Sequence, residues 1–275
     1  MGSVALILAV SAAAVVLYVF LVEPLWVLPV LEWLTPNIVY RVKTGKALVA
    51  LSFDDGPHPE FTPQVLEILE VYEVKATFFL IGERAERHPE LVRQIREAGH
   101  EIGNHYWQNG TTLGHSESTF AENLRRTEWT IRATTDDTAG DVGRAASSTD
   151  SAPTTSQEQG PEPKNNPMTI AERLRFFRPP GGVAWPWQLR LARKRGYTSV
   201  LGCAYPHDPM RPPVKYMRWL MEKNLRAGTI VILHDGIRNA GKSIEVLPQI
   251  LEAGKRRGLQ FVAIGELVGA RNPGT

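Results

Sequence analysis

The chain has 275 residues, enough for one α/β domain with a full core and some appended segments. Its formal net charge of +2, with acidic and basic residues interspersed, leaves no nucleic-acid footprint. The single cysteine, Cys203, excludes an internal disulfide framework and a cysteine-rich zinc site, and it reads as a small buried apolar residue.

Residues 4–22 carry no charge and are almost wholly apolar, close to the ~20 residues that span a bilayer. No Lys or Arg precedes the run and no clear Ala-x-Ala site follows it, so residues 1–23 are expected to be an uncleaved membrane anchor rather than a signal peptide. Residues 24–46 form an apolar connector in which Trp26, Trp33 and Tyr40 suit either a membrane interface or packing on the following domain. The expected localisation is membrane-anchored with the following domain extracytoplasmic or lumenal, or secreted if the segment is cleaved. Arg41, Lys43 and Lys46 pull the other way, since by the positive-inside rule they favour a cytoplasmic domain.

From residue 47 the pattern alternates. Apolar runs predict strands over 47–53, 76–81, 101–103, 175–177, 198–201, 229–233 and 260–263. Helical spacing predicts helices over 63–71, 89–98, 116–133, 187–195, 214–226 and 243–257. In the second helix Leu91, Val92 and Ile95 share a face, Pro89 suits the first turn and Gly99 the exit. Such units predict a largely parallel sheet, barrel-like or doubly wound, with ligand chemistry at the carboxyl ends of its strands. Between Ile131 and Ile170 there is no Leu, Ile or aromatic residue, so 134–167 reads as a disordered surface insertion within one domain spanning 47–268.

Four clusters lie at predicted strand ends. The first is Ser52-Phe53-Asp54-Asp55-Gly56-Pro57-His58. Adjacent carboxylates repel unless a cation holds one of them, although Asp-Asp-Gly-Pro alone also reads as a polar turn. The others are Gly99-His100-Glu101-Ile102-Gly103-Asn104-His105, Phe177-Arg178-Pro179-Pro180-Gly181-Gly182 and Ile232-Leu233-His234-Asp235-Gly236. Each is weak alone, because a lone histidine beside a strand is commonly structural. Their order is the signal.

Together these four clusters resemble the NodB-type polysaccharide deacetylases of the metal-dependent carbohydrate esterase superfamily, over roughly residues 47–268. The resemblance implies a distorted parallel (β/α) barrel and removal of N-acetyl groups from the amino sugars of a poly-, oligo- or glycolipid saccharide such as chitin or peptidoglycan. It also implies a divalent metal, zinc above all, with cobalt or manganese as alternatives. By position it makes Asp54 the general base toward a metal-bound water, with Arg178 orienting it, and His234 the general acid. Asp55 and His105 are implied metal ligands, and Leu233 is implied to shape the pocket for the acetyl methyl. Backbone N–H groups near Pro180 and Gly181 suit an oxyanion.

The chain departs from the family pattern in places. The expected second metal histidine, four residues after His105, is Asn109. Either Asn109 completes a site for a harder ion, or His115 supplies the missing nitrogen, or no metal is held. Tyr106 and Gly181 stand where Ser or Thr and Tyr are usual. Tyr205 occupies the place of the aspartate that polarises the catalytic histidine, leaving Asp208 or Asp235 as substitutes. His58, His88 and His207 read as surface or loop residues and His100 as structural, while Trp185 and Trp187 suit either sugar stacking or core packing. A metal-free carbohydrate-binding pseudoenzyme and a hydrolase of another non-peptide C–N bond are the competing readings.

Overall fold

A run of nine buried residues, Leu48–Gly56, forms the strand around which the rest is assembled. Apolar side chains on both of its faces are what a parallel sheet covered on both sides requires. The computed structural model describes residues 21–23, 25–134, 174–237 and 240–272. Within them the elements run α1 (Leu28–Leu34), β1 (Ile38–Val39), β2 (Leu48–Gly56), α2 (Phe61–Val71), β3 (Thr77–Leu80), α3 (Gly82–Arg87), α4 (Pro89–Glu97), β4 (Glu101–Asn104) and α5 (Glu117–Ala133). They continue with β5 (Phe176–Phe177), α6 (Pro186–Lys194), β6 (Thr198–Val200), α7 (Val214–Asn224), β7 (Ile230–His234), α8 (Gly241–Arg256), β8 (Gln260–Val262) and α9 (Ile264–Gly269).

The strands are parallel in the order β1-β6-β5-β4-β3-β2-β7, with β8 on the lower part of β2. A parallel bridge from Ala204 to Val231 brings the chain after β6 beside β7, which curls the sheet toward closure. The result is a parallel (β/α) half-barrel whose rim carries the carboxyl ends of the strands.

Strand alternation sorts the core into layers. Val49, Leu51 and Phe53 of β2 pack with Val65, Leu69, Met217, Leu220 and Leu247 from the surrounding helices. Leu48 and Ala50 face the other way, toward Phe79, Phe176, Val200 and Ile230 from the neighbouring strands. Continued toward the rim, this inner face presents Ser52 and Asp54 from β2, and Ile232 and His234 from β7.

All seven predicted strands are present, and the six predicted helices begin and end within two residues of expectation. In α4, Leu91, Val92 and Ile95 are buried, Pro89 starts the helix and Gly99 leaves it with a left-handed φ of 76°. The short elements β1, α3 and α9 were not foreseen, and the connector contains α1. The expected anchor falls on residues of which only 21–23 are described, and among the described residues no helix is long and apolar enough to cross a membrane. The expected insertion at 134–167 lies outside the described residues from 135 onward.

Candidate active site

Strand register brings all four clusters to one rim. Asp54 on β2 stands beside His234 on β7 and Phe79 on β3, and Asn104 at the end of β4 pairs with Phe177 of β5. The Arg178 N–H then donates to the Asn104 carbonyl at 3.0 Å, which docks the third cluster against the second.

Arg178 is buried, and several groups hold its guanidinium through Nη1 and Nε, while Nη2 has no hydrogen-bond partner. Nη1 donates to Asp54 Oδ1 at 2.5 Å and to Ser52 Oγ at 2.9 Å, and Nε donates to the Val200 carbonyl at 3.1 Å. Its guanidinium carbon lies 4.1 Å from the centre of the Phe79 ring. A carboxylate gripped this way is held in one orientation, with its second oxygen left to act.

Asp55 has a left-handed backbone, φ 68°, which a side-chain-bearing residue adopts at a cost of about 1–3 kcal/mol. Arg84 stabilises the bend by donating from Nη1 to the carbonyls of both Asp55 and Gly236. Gly236 has to be glycine, since a Cβ there would lie 1.8 Å from the Asp55 carbonyl oxygen. The bend turns the Asp55 carboxylate toward His105, with Oδ1 3.4 Å from Nε2. Burial works to raise the Asp55 pKa, but His105, with His234 and Arg84, more than offsets it, so the carboxyl titrates below its ordinary range.

His105 leaves β4 through a turn made by Asn104, whose side-chain oxygen accepts the Tyr106 N–H at 2.8 Å. His105 Nδ1 lies 2.8 Å from the Arg178 carbonyl, which can only accept, so Nδ1 carries a proton. In the neutral ring, Nε2 therefore presents a lone pair to the Asp55 carboxylate.

Across the rim, His234 is held by Asp208. Its Nδ1 donates to Asp208 Oδ1 at 3.0 Å and its backbone N–H to Oδ2 at 2.8 Å, while Ser243 Oγ donates to the same Oδ2 at 2.5 Å. Asp208 therefore takes the place left open at Tyr205. Tyr205 instead lies with its ring centre 5.8 Å from that of His234. Burial opposes a charged imidazole, yet Asp208, with Asp54 and Asp55, pushes His234 up to about 9. Asp235, the other substitute considered, accepts from Thr62 Oγ at 2.5 Å, and burial pushes it up to about 7. It packs beneath Gly56, away from the imidazole.

Other expectations are corrected. Asn109 is exposed on a bent, non-helical segment, so the four-residue spacing does not place it on a helical face with His105. His115 bonds through Nδ1 to the Tyr106 hydroxyl at 2.8 Å, and among the described residues no three His, Cys, Asp or Glu side chains converge as a metal cluster. Leu233 is fully buried in the layer between sheet and helices, and alternation puts Ile232, not Leu233, on the face of His234. Pro180 is buried and Gly181 exposed in a 3₁₀ turn, where Gly181 has φ 65° and open space around it. His207 is buried, not on the surface, between Glu23 and Tyr216. His100 is structural, since its Nδ1 accepts the Ala76 N–H, and burial drops it to about 4. Trp187 packs edge-on against Phe120, whereas Trp185 is exposed and its indole donates to the Leu113 carbonyl at 2.8 Å. The sequence alone assigns no role to Ser52, Arg84, Ile232 or Ser243. Only Ile232 had a usable signal, through the period of two in β7.

Residues 41–158 match the family model described as polysaccharide deacetylase. A peptidoglycan-N-acetylglucosamine deacetylase of Bacillus cereus is 33% identical over 236 residues, covering 85% of this chain and 94% of the relative. The chain belongs to the polysaccharide deacetylase family. Its members are carbohydrate esterases of family 4, hydrolases of N-acetyl amide C–N bonds. A chitooligosaccharide deacetylase of Sinorhizobium fredii is 31% identical over 199 residues, 72% of this chain and 76% of the relative. Among solved structures, a peptidoglycan N-acetylglucosamine deacetylase in complex with 4-naphthalen-1-yl-N-oxidanyl-benzamide superposes with a TM-score of 0.69 at 25% identity, covering 88% of this chain and 98% of that one.

Deacetylases of this family are generally metal-dependent. The donor pair fits a divalent ion. Two zinc ligands at about 2.0–2.1 Å that subtend a tetrahedral angle lie about 3.3 Å apart, and Asp55 Oδ1 and His105 Nε2 are 3.4 Å apart. The second proton position of His105 is already committed to the Arg178 carbonyl, which is how metal-ligating imidazoles are commonly oriented.

Proposed function

We propose that this chain is a metal-dependent deacetylase acting on N-acetylated amino sugars of a polysaccharide or oligosaccharide, with Asp54 as base and His234 as acid. The observation that carries the reading is the two-sided rim: Asp54 oriented by Arg178 on one flank, and His234 held by Asp208 on the other. Between them, Asp55 and His105 are the residues that would hold zinc. A bound divalent ion supplies Lewis-acid polarisation and lowers the pKa of water.

Asp54 takes the proton of the attacking water as its oxygen adds to the amide carbonyl carbon. Charge gathers on the carbonyl oxygen, near the exposed Gly181 N–H. His234, charged at neutral pH, then donates to the sugar nitrogen as the C–N bond breaks, and acetate and a free amine leave. Exposed Trp185, just past the Gly181–Gly182 turn, offers a flat face to a sugar ring.

The test is acetate release from N-acetylglucosamine oligomers and peptidoglycan fragments with zinc, cobalt or manganese, for the wild type and Asp54→Asn. Release that requires the metal and is lost in Asp54→Asn supports the reading. The exposure of Asn109 favours a second one, a saccharide-binding protein without turnover. That reading predicts sugar affinity indifferent to chelators and to Asp54→Asn, and no acetate with any ion.

A further inference from the structure

Two exposed surfaces meet where the chain enters the domain. Trp26, Val30, Trp33 and Leu34 follow the i, i+4, i+7, i+8 spacing of one helical face, over the 3₁₀ turn Leu25–Val27 and α1. All four are exposed, Trp33 at 78% and Trp26 at 65%. The opposite side of the same segment, with Leu25, Leu28 and Leu31, closes a cavity of about 270 Å³ against Tyr40 and Cys203, so the outward residues are surplus to the packing of the domain.

The second surface is the outer stripe of α7. Lys215, Arg218, Trp219 and Lys223 are exposed at i, i+3, i+4 and i+8, and exposed Arg226 follows just past the helix end. The acidic residue of this stripe, Glu222, faces Arg256 of α8 at 3.5 Å. The stripe is therefore basic, with a tryptophan at its centre.

Hydrogen bonds join the two surfaces at residues 21–23. Tyr216 donates to the Leu21 carbonyl and Lys223 to the Val22 carbonyl, both at 2.6 Å, and Glu23 Oε2 accepts the Tyr205 N–H at 2.9 Å. In the sequence, the uncharged run 4–22 ends at this staple.

We infer that this composite face docks the domain onto an anionic lipid bilayer. The α1 side chains sink into the interfacial region and the α7 cations face lipid phosphates. An apolar stripe with tryptophans beside a basic stripe is the pattern of interfacial binding. The uncharged run that ends at the junction of the two surfaces selects lipid over a second copy of the chain as occupant. Through Glu23 the docked segment is one hydrogen bond from the loop that carries Tyr205 and Asp208, so docking sets the catalytic rim close to the bilayer surface.

The experiment uses the full chain with Cys203→Ala, carrying one nitroxide at Val30→Cys, Trp219→Cys or, as control, Arg96→Cys on exposed α4. Each is reconstituted into phosphatidylcholine vesicles with and without phosphatidylglycerol, and collision with oxygen and with a water-soluble nickel complex is measured. Labels at 30 and 219 are expected to gain oxygen contact and lose nickel contact when anionic lipid is present, while the label at 96 stays water-exposed. Neutralising Lys215, Arg218 and Arg226 one at a time to Gln is expected to lower the docked-to-undocked ratio about fivefold per charge, and more weakly at high salt. Labels at 30 and 219 as wet as the label at 96 in both vesicle types would overturn the inference. Protection that follows protein concentration without lipid would do the same and mark a contact between copies. No arm depends on catalysis, so a failure here is separate from a failure of the deacetylase reading.

Discussion

Replacing Asp208 by Asn tests the acid half of the site, because Asn keeps the shape of the side chain and one acceptor but removes the charge. Burial alone would push the His234 imidazolium below its ordinary pKa of 6.5. Asp208, followed by Asp54 and Asp55, pushes it up to about 9 instead. That difference of about 2.5 units corresponds to about 3.4 kcal/mol favouring the charged ring, of which Asp208 supplies the largest share. In Asp208→Asn, the His234 titration followed by NMR in chelator-treated protein is expected to fall by about 2 units or more. At pH 8 the protonated fraction then drops from about 90% to about 9% or less, at least about tenfold, and the alkaline limb of kcat/KM shifts toward acid by about 2 pH units or more. Stability follows the same sign: a raised histidine pKa adds stability that is fully present below pH ~6.5 and is lost as pH rises through about 9. The pH-dependent part of the loss in Asp208→Asn should therefore be largest in acid and vanish above pH ~9. If His234 still titrates near 9 in the variant, the coupling between the two side chains is wrong.

Arg178→Gln removes the partner of a buried carboxylate and is expected to cost about 3–5 kcal/mol in urea unfolding, where an exposed pair would cost under about 1. An unchanged midpoint would contradict the buried pair. His105→Ala should abolish zinc binding by calorimetry while Asn109→Ala leaves it unchanged, because only His105 faces Asp55. The reverse ranking would show that the bent segment swings in. Leu233→Ala is expected to cost about 2–5 kcal/mol of stability with KM unaltered. Ile232→Ala, on the face of His234, should instead let the enzyme accept acyl groups larger than acetyl, measured by competition between acetylated and butyrylated oligomers.

The strands and long helices were legible in the sequence because each buries a continuous or periodic apolar set. The 47–53 run and the Leu91-Val92-Ile95 face needed no tertiary information. The short elements were not legible, since two residues at β1 or six at α3 carry too little pattern to stand out. At the rim, Asp54, Asp55, His105, Arg178 and His234 were readable as four clusters at strand ends, and coordinates were needed only for their partners. The partner of His234 is the instructive case. Position gave Tyr205 with Asp208 or Asp235 as substitutes, and the choice needed the backbone: His207 takes a left-handed conformation, φ 59°, and the short 3₁₀ turn Asp208–Met210 carries the Asp208 carboxylate into the place left open. Leu233 failed for a simpler reason: one step along a strand reverses the face, so a motif carried over one residue out of phase lands in the core.

The charges at the rim bear on what the middle of the site is built to hold. Asp54 is matched by Arg178 and Asp208 by His234, so each outer carboxylate has its own cation from the protein. Asp55 instead faces His105, whose other ring nitrogen is committed to a backbone carbonyl, and His105, with His234 and Arg84, holds its carboxyl below the ordinary range. Burial makes a carboxylate there costly, and the Asp55 backbone is held in a left-handed conformation that also costs energy. A fold that spends stability to aim an acid at an imidazole, between two ion pairs, presents a donor pair spaced for a divalent cation. That arithmetic favours catalysis over saccharide binding alone. Binding a neutral sugar calls for hydrogen-bond donors, acceptors and a stacking face, and nothing in it requires a buried carboxylate aimed at an imidazole at the base of the cleft.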